Sequence, residues 1–437
     1  MYPISAVRPH TPGGAKGGAA ATADIFVIAG QSNATGHFTT LAGVPSYIVP
    51  DNGVQMWDHD NAQFVEYQAG VNSIQPATGN NAPTTDCWGP EAVFSYRLRQ
   101  ANPSKTVYLV KYAIGTTELY DDGSSVTWNA GVTGTARSLF ERTENAISAA
   151  KAAITALGLT PKVRGIIYMQ GEADASAAFG GNNAPDNAYP ANLTALLTAM
   201  RTRWGDADTR IVLGRVNPAW SNRPSQTRTA EEVQMDADPL GAWVNTDTYH
   251  LTNSHFDNTS QPMFGSDCYD AYLGNKYIDF VTNGSFASDI SGWSGQSSPD
   301  NGTTYVADQS VISWSASGIV ATSAPNKEIP GAIQTITGLV VGKQYWFQGK
   351  IVAAAAGAAL RVASDPQGIG NNFSKGGTNF YQQITSTLGT YEGSFVATQT
   401  SVTIGLFGWN FNTSGSVVLD NVRLIGPNWS VDGDLSH

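Results

Sequence analysis

Short unbroken apolar runs recur along the first half of the chain: Ile25-Phe26-Val27-Ile28-Ala29, Val107-Tyr108-Leu109-Val110, Gly165-Ile166-Ile167-Tyr168-Met169 and Ile211-Val212-Leu213. A strand with one wet face alternates apolar and polar residues, whereas an unbroken run belongs to a strand covered on both faces, as in a parallel sheet. Segments with helical spacing lie between the runs: Pro90–Leu98, Ala136–Leu157 with Leu139, Ile147 and Ile154 on one stripe, and Leu193–Trp204. Strands alternating with helices predict βαβ units and a helix-flanked parallel sheet. Ligands bind such sheets outside the carboxyl ends of the strands, so chemistry is expected just after each run.

Beyond about Gly274 the helical spacing stops. Short alternating segments take over, including Ala332–Ile336, Gln344–Val352, Tyr391–Ala397 and Val417–Leu424, with Asn283-Gly284, Asn301-Gly302 and Thr337-Gly338 as turns. This pattern predicts an all-β sandwich. The expected organisation is a Pro/Gly/Ala-rich flexible arm over 1–22, an α/β domain over 23–274, a β-sandwich over 275–427 and a tail over 428–437.

Composition sharpens this picture. The chain has 437 residues, too many for one ordinary core; apolar residues make up 41% and charged residues only 14%. Such a low charge content suits a strand- and loop-rich protein exported or carried on a particle surface. The net charge of −11 and the lack of a Lys/Arg cluster exclude nucleic acid as the main partner. No stretch approaches a membrane span, and no charged segment followed by an apolar core opens the chain, so release without a signal peptide is expected, for example on a virus particle. Cys87 and Cys268 are either one long-range bridge or two inert thiols. No His/Asp/Glu spacing suggests a metal, and no nucleotide-binding fingerprint appears, so no cofactor is expected.

The first run ends in Gly30-Gln31-Ser32-Asn33. A serine on a tight turn at a strand's carboxyl end suits an exposed nucleophile, although alone the pattern equally fits a helix cap. The other strand ends carry matching partners. Gly115 follows the second run and can bring a backbone N–H close, and Gln170 follows the third as a neutral amide donor suited to an oxyanion. Asp247, His250 and His255 come later in the chain and supply a carboxylate and two imidazoles.

Gly30-Gln31-Ser32-Asn33, Gly89-Pro90-Glu91, Gly115-Thr116, Gln170-Gly171-Glu172-Ala173-Asp174 and His255-Phe256 followed by Gln261 and Gly265 resemble successive blocks of one family. It is the sialate O-acetylesterase-like branch of the SGNH hydrolases, which includes the sixth carbohydrate esterase family, and the likeness covers residues 24–274. The resemblance implies a three-layer α/β/α fold and metal-free removal of acetyl groups from a sugar. It also implies Ser32 as nucleophile, His255 as base, and the Ser32 and Gly115 N–H groups with the Gln170 amide as oxyanion hole. The family usually has Asp three residues before that histidine, where Thr252 stands. Asp247 precedes His250 by three, which opens a rival register; Gln261 and Gly265 favour His255. Asp247 is the first choice as orienting acid, with Glu172, Asp174 or no acid as alternatives.

In the second half, Asn283-Gly284-Ser285-Phe286, Trp293 and Val417–Val422 resemble carbohydrate-binding jelly rolls, and Trp314, Trp346 and Trp409 are candidates either to stack on sugar rings or to pack the core. The leading expectation is a polysaccharide O-acetylesterase, a homo-oligomer on a bacteriophage tail or otherwise outside the cell, joined to other tail proteins through residues 1–22. A non-catalytic glycan- or receptor-binding protein on a decayed esterase scaffold is the competing class. A hydrolase of lipids or thioesters is the third.

Overall fold

The computed structural model describes residues 21–79, 81–220, 225–247, 249–275, 277–299, 305–327, 329–354, 358–363, 378–384, 389–408 and 415–427. Residues 1–20 of the expected arm, Trp409 and the expected tail lie outside the described residues.

The apolar runs become the centre of a seven-stranded sheet. Its strands are β1 (Thr22–Gly30), β2 (Val54–Asp58), β3 (Gln63–Glu66), β4 (Val107–Ala113), β5 (Thr160–Met169), β6 (Arg210–Gly214) and β7 (Gly241–Val244), in the order β3-β2-β4-β1-β5-β6-β7. Ile25, Val27, Ile28 and Ala29 of β1 are fully buried, as an unbroken run requires. Strand β1 is parallel to β4 on one side and β5 on the other, and Gly30 pairs with both Ala113 and Met169. Three strand ends therefore lie level where the strand order reverses, the place such sheets keep for ligands. Strand β3 runs antiparallel to β2, as a hairpin that the sequence reading did not foresee.

The helices are α1 (Ser32–Thr35), α2 (Glu91–Ala101), α3 (Leu139–Ala156), α4 (Glu172–Ser176), α5 (Ala184–Ala199), α6 (Gln226–Ala237) and α7 (Ser260–Tyr272). Helix α3 starts where the Ser138 side chain accepts the Glu141 N–H, and it buries Leu139, Ile147 and Ile154, the stripe expected of it. Strands β8 (Leu251–Thr252) and β9 (His255–Phe256) form a two-residue hairpin whose turn residues, Asn253 and Ser254, have φ of 47° and 65°. Two successive positive φ angles are what a tight hairpin demands, and asparagine accepts them more readily than most residues.

The second half is antiparallel throughout. Strands β10 (Tyr277–Asp279), β11 (Ser294–Ser297), β12 (Val306–Ala307), β13 (Ile312–Ser315), β14 (Gly318–Thr322), β15 (Gly331–Thr337), β16 (Gln344–Ala354), β17 (Ala358–Ala363), β18 (Thr378–Ile384), β19 (Gly389–Val396), β20 (Ser401–Gly408) and β21 (Ser416–Pro427) build two sheets. One has the order β13-β14-β21-β16-β19, with β10 on β21; the other is β12-β11-β15-β20-β17-β18. Phe286, Trp293, Ile319, Tyr345, Phe347 and Leu419 belong to its buried core. This is the sandwich expected.

By packing, the chain divides into two compact units. The first unit is Met1–Ala177, Asn183–Ile211 and His250–Ser266; the second is Ala178–Asn182, Val212–Tyr249 and Asp267–His437. The second unit thus unites the sandwich with α6 and β7. Its buried Arg215 explains why. The guanidinium carbon lies 4.7 Å from the ring centres of both Trp243 in β7 and Trp346 in β16. Glu232 of α6 pairs with Arg215 and, at 2.7 Å, with Arg423 of β21. Trp346 therefore has a packing role, whereas Trp314 keeps 44% of its surface exposed. Both cysteines are buried free thiols.

Candidate active site

Gly30 makes the nucleophile turn possible. Its φ is +134°, and a Cβ there would lie 2.0 Å from the Met169 carbonyl oxygen. Without a side chain, β1 stays against β5 to its last residue, the Gln31 N–H bonds the Met169 carbonyl at 2.8 Å, and α1 starts at Ser32. The Ser32 hydroxyl lies 2.9 Å from Nε2 of His255. On the other side of the ring, His255 Nδ1 lies 2.7 Å from the Asn253 carbonyl oxygen. A carbonyl only accepts, so Nδ1 carries the proton and the Nε2 lone pair faces the serine hydroxyl. Burial holds the His255 pKa below its usual 6.5, opposed by the Asn253 carbonyl.

The two registers place their histidines differently. His255 meets Ser32, while the largely exposed His250 pairs through Nδ1 with Asp257. Thr252, standing where the family usually has its acid, also donates to Asp257, at 3.2 Å.

The expected orienting acid, Asp247, faces two arginines. Asp247 holds Arg215 at 2.7 Å and Arg228 at 3.0 Å, and the hydrogen bond expected from it at His255 Nδ1 comes from the Asn253 backbone. The two substitutes have hydrogen-bond partners of their own. Asp174 accepts from the Leu119 and Tyr120 N–H groups, both at 2.9 Å, and from Gln170 at 2.6 Å. Glu172 accepts from Asn33 Nδ2 at 2.8 Å. Burial pushes both acids up to about 7.

The other two expected oxyanion donors are engaged within the protein. The Gly115 N–H donates to Asn81 Oδ1 at 2.8 Å, and Asn81 Nδ2 returns a bond to the Gly115 carbonyl at 2.9 Å. Gln170 spends its amide hydrogens on Asp174 and on the Thr117 carbonyl at 3.0 Å. The Ser32 N–H, at the first position of α1, has no intrahelical acceptor and remains available.

Sequence reasoning missed three supports. His37 stacks on His255 with ring centres 5.7 Å apart; burial, then His255 and Lys111, push its pKa down to about 4, so it stays neutral. Phe38 stacks on the same ring at 5.0 Å. Fully buried Lys111 pairs with fully buried Glu91 at 2.9 Å and donates to the Thr35 carbonyl at 3.1 Å, tying β4 and α2 to the end of the nucleophile turn. Lys111, directly after the second run, and the Gly-Pro-Glu block carried the signal for this pair; Gly36-His37-Phe38, directly after the turn, carried it for the rings. Among the described residues, no group of three or more His, Cys, Asp or Glu side chains is placed to hold a metal ion.

Comparison with known proteins bears on the same region. Residues 22–274 match the family described as carbohydrate esterase, sialic acid-specific acetylesterase. No curated protein matches the chain significantly. Among solved structures, a protein of Arabidopsis thaliana aligns at 17% identity over 58% of this chain and 99% of its own, with a TM-score of 0.45. A carbohydrate acetylesterase from Xanthomonas citri aligns at 14% identity over 92% of this chain and 78% of its own, with a TM-score of 0.42. The family match spans more than half of the sequence and includes every block of the nucleophile region. The chain belongs to the carbohydrate esterases of the sialic acid-specific acetylesterase family and is an ester hydrolase.

Proposed function

We propose that this esterase removes acetyl groups from a polysaccharide with Ser32 as nucleophile and His255 as general base. The observation that carries the reading is the 2.9 Å contact between Ser32 Oγ and His255 Nε2, with Nδ1 tied to a carbonyl that fixes the tautomer. His255 takes the hydroxyl proton as Oγ attacks the acetyl carbonyl, and the oxyanion meets the Ser32 N–H. A substrate carbonyl that displaced the Asn81 amide would gain the Gly115 N–H as a second donor. The imidazolium returns its proton to the departing sugar oxygen, and water, deprotonated by the same nitrogen, clears the acetyl-enzyme. In this mechanism a backbone carbonyl orients the base where a triad would use a carboxylate. The intact pair speaks against the non-catalytic alternative.

Exposed Trp314 supports a grip on sugar rings by the sandwich. The sparse charge and the β-rich second half support the wider reading of a bacteriophage tail component acting on a host surface glycan, assembled as a homo-oligomer.

The test is release of p-nitrophenol from p-nitrophenyl acetate. Ser32→Ala and His255→Ala should each lose at least about 1,000-fold in kcat. Wild-type rates in either variant would remove that residue's role. Acetate release from a panel of acetylated glycans then identifies the sugar.

A further inference from the structure

Asn33 follows the nucleophile, and its side chain joins two elements from opposite ends of the domain. Its Nδ2 donates to Glu172 Oε1 at 2.8 Å, and its Oδ1 accepts the Phe256 N–H at 2.9 Å. Phe256 is the residue after His255. The Asn33 carbonyl accepts from Gln261 Nε2 at 3.0 Å, so the start of α7 is anchored to the same residue. Glu172, Asn33 and Gln261 are all buried, with Glu172 and Gln261 fully so.

The order of these bonds matters. A carboxamide has one acceptor and one donor end and can turn over; Phe256 needs the acceptor end. A carboxyl oxygen at Nδ2 penalises the reversed orientation, because the amide oxygen would then face Glu172 Oε1. Glu172 Oε2 has no hydrogen-bond partner, so Asn33 is the side chain this acid holds. We propose that Glu172 is a positioning residue for the base: it locks the Asn33 carboxamide, which pins the Phe256 backbone and so holds His255 against Ser32. An acid thus orders the histidine without touching it. This inference rests on Ser32 and His255 being the reacting pair.

The experiment uses the full chain and p-nitrophenyl acetate, with hydrogen–deuterium exchange read over the peptide holding β9. Glu172→Ala should lower kcat by about 10- to 100-fold with KM held within about twofold, and should speed exchange across β9. Asn33→Asp, which sets two acid groups face to face, should lower kcat similarly. Adding Glu172→Gln to it restores one donor and one acceptor with their roles exchanged, and kcat should return to within about threefold of wild type. Should Glu172→Ala not fold, this swap carries the test. A double variant no more active than Asn33→Asp, or wild-type kcat in folded Glu172→Ala, overturns the proposal. Full activity in Ser32→Ala would instead overturn the reading on which it rests.

Discussion

Lys111→Met is the substitution whose cost the site defines best. The Lys111 ammonium is fully buried, 2.9 Å from Glu91 Oε1 and 3.1 Å from the Thr35 carbonyl. The same Glu91 oxygen accepts the Gly89 N–H at 3.0 Å and the Tyr67 hydroxyl at 3.2 Å. Methionine fills nearly the same volume, so packing changes little. What changes is charge: Glu91 keeps its two neutral donors and loses the cation beside it. Breaking a buried pair from one side costs about 3–5 kcal/mol, because the remaining charge stays out of water. For a unit of this size each kcal/mol moves the midpoint by roughly 2–4 °C, so the first unit should melt about 6–20 °C lower.

The control separates charge from shape. Lys111→Met combined with Glu91→Gln removes the stranded charge but keeps an acceptor for Gly89 and Tyr67. Only the Thr35 carbonyl is then left short, at about 1–3 kcal/mol. The double variant should therefore be more stable than Lys111→Met alone. Calorimetry on the full chain resolves the unit, and exchange over the β4 and α2 peptides identifies it. A loss under about 1 kcal/mol for Lys111→Met, the range of an exposed ion pair, would refute the reasoning, as would a double variant at the sum of the two single losses.

Three further outcomes follow from the same site and from the second unit. As the proposed base His255 has to be neutral, and burial lowers its pKa, so kcat/KM should rise with pH along one limb centred below 6.5; a midpoint at or above 7 in a pH–rate profile would contradict this. Burial raises Glu172 from 4.5 to about 7, so the folded state holds its proton more tightly than the unfolded chain. Its stabilising contribution is present below about 4.5 and lost as pH rises through about 7, and Glu172→Gln should flatten the fall of the melting midpoint over that window, leaving Asp174's share. Trp346→Ala should cost the second unit about 3–5 kcal/mol and open β7 to exchange together with the sandwich, because Arg215 packs against Trp346 and Trp243 alike; a β7 that stays protected would separate the two.

The parts legible in the sequence are those written in side-chain pattern. Ile25–Ala29 announces a strand buried on both faces, and Gly30-Gln31-Ser32-Asn33 announces a turn with a nucleophile, because each depends on residues adjacent in the chain. His255 was reachable through the spacing to Gln261, which proves to anchor α7 on Asn33. The parts that were not legible depend on backbone groups and on partners chosen by the fold. No letter records that the Asn253 carbonyl takes His255 Nδ1, since every residue has a carbonyl and only the positive φ angles of the β8–β9 turn aim this one. Nothing near Gly115 reveals that Asn81, 34 residues earlier, occupies its N–H. Nor does periodicity record the buried guanidinium of Arg215 between Trp243 and Trp346, which ties β7 to β16.

The absent acid at position 252 gains its meaning here. An orienting carboxylate does two things for a catalytic histidine: it fixes the tautomer and it stabilises the imidazolium that forms in the transition state. The Asn253 carbonyl performs the first through geometry alone. For the second it offers a dipole in place of a charge, which is weaker. His255 is half-buried between two flanking rings, and burial lowers its pKa. With His255 as the proposed base, a carbonyl in place of a carboxylate leaves positional order to supply what charge does not. That places the weight on the Glu172–Asn33–Phe256 chain, where the buried carboxyl serves the histidine at one remove.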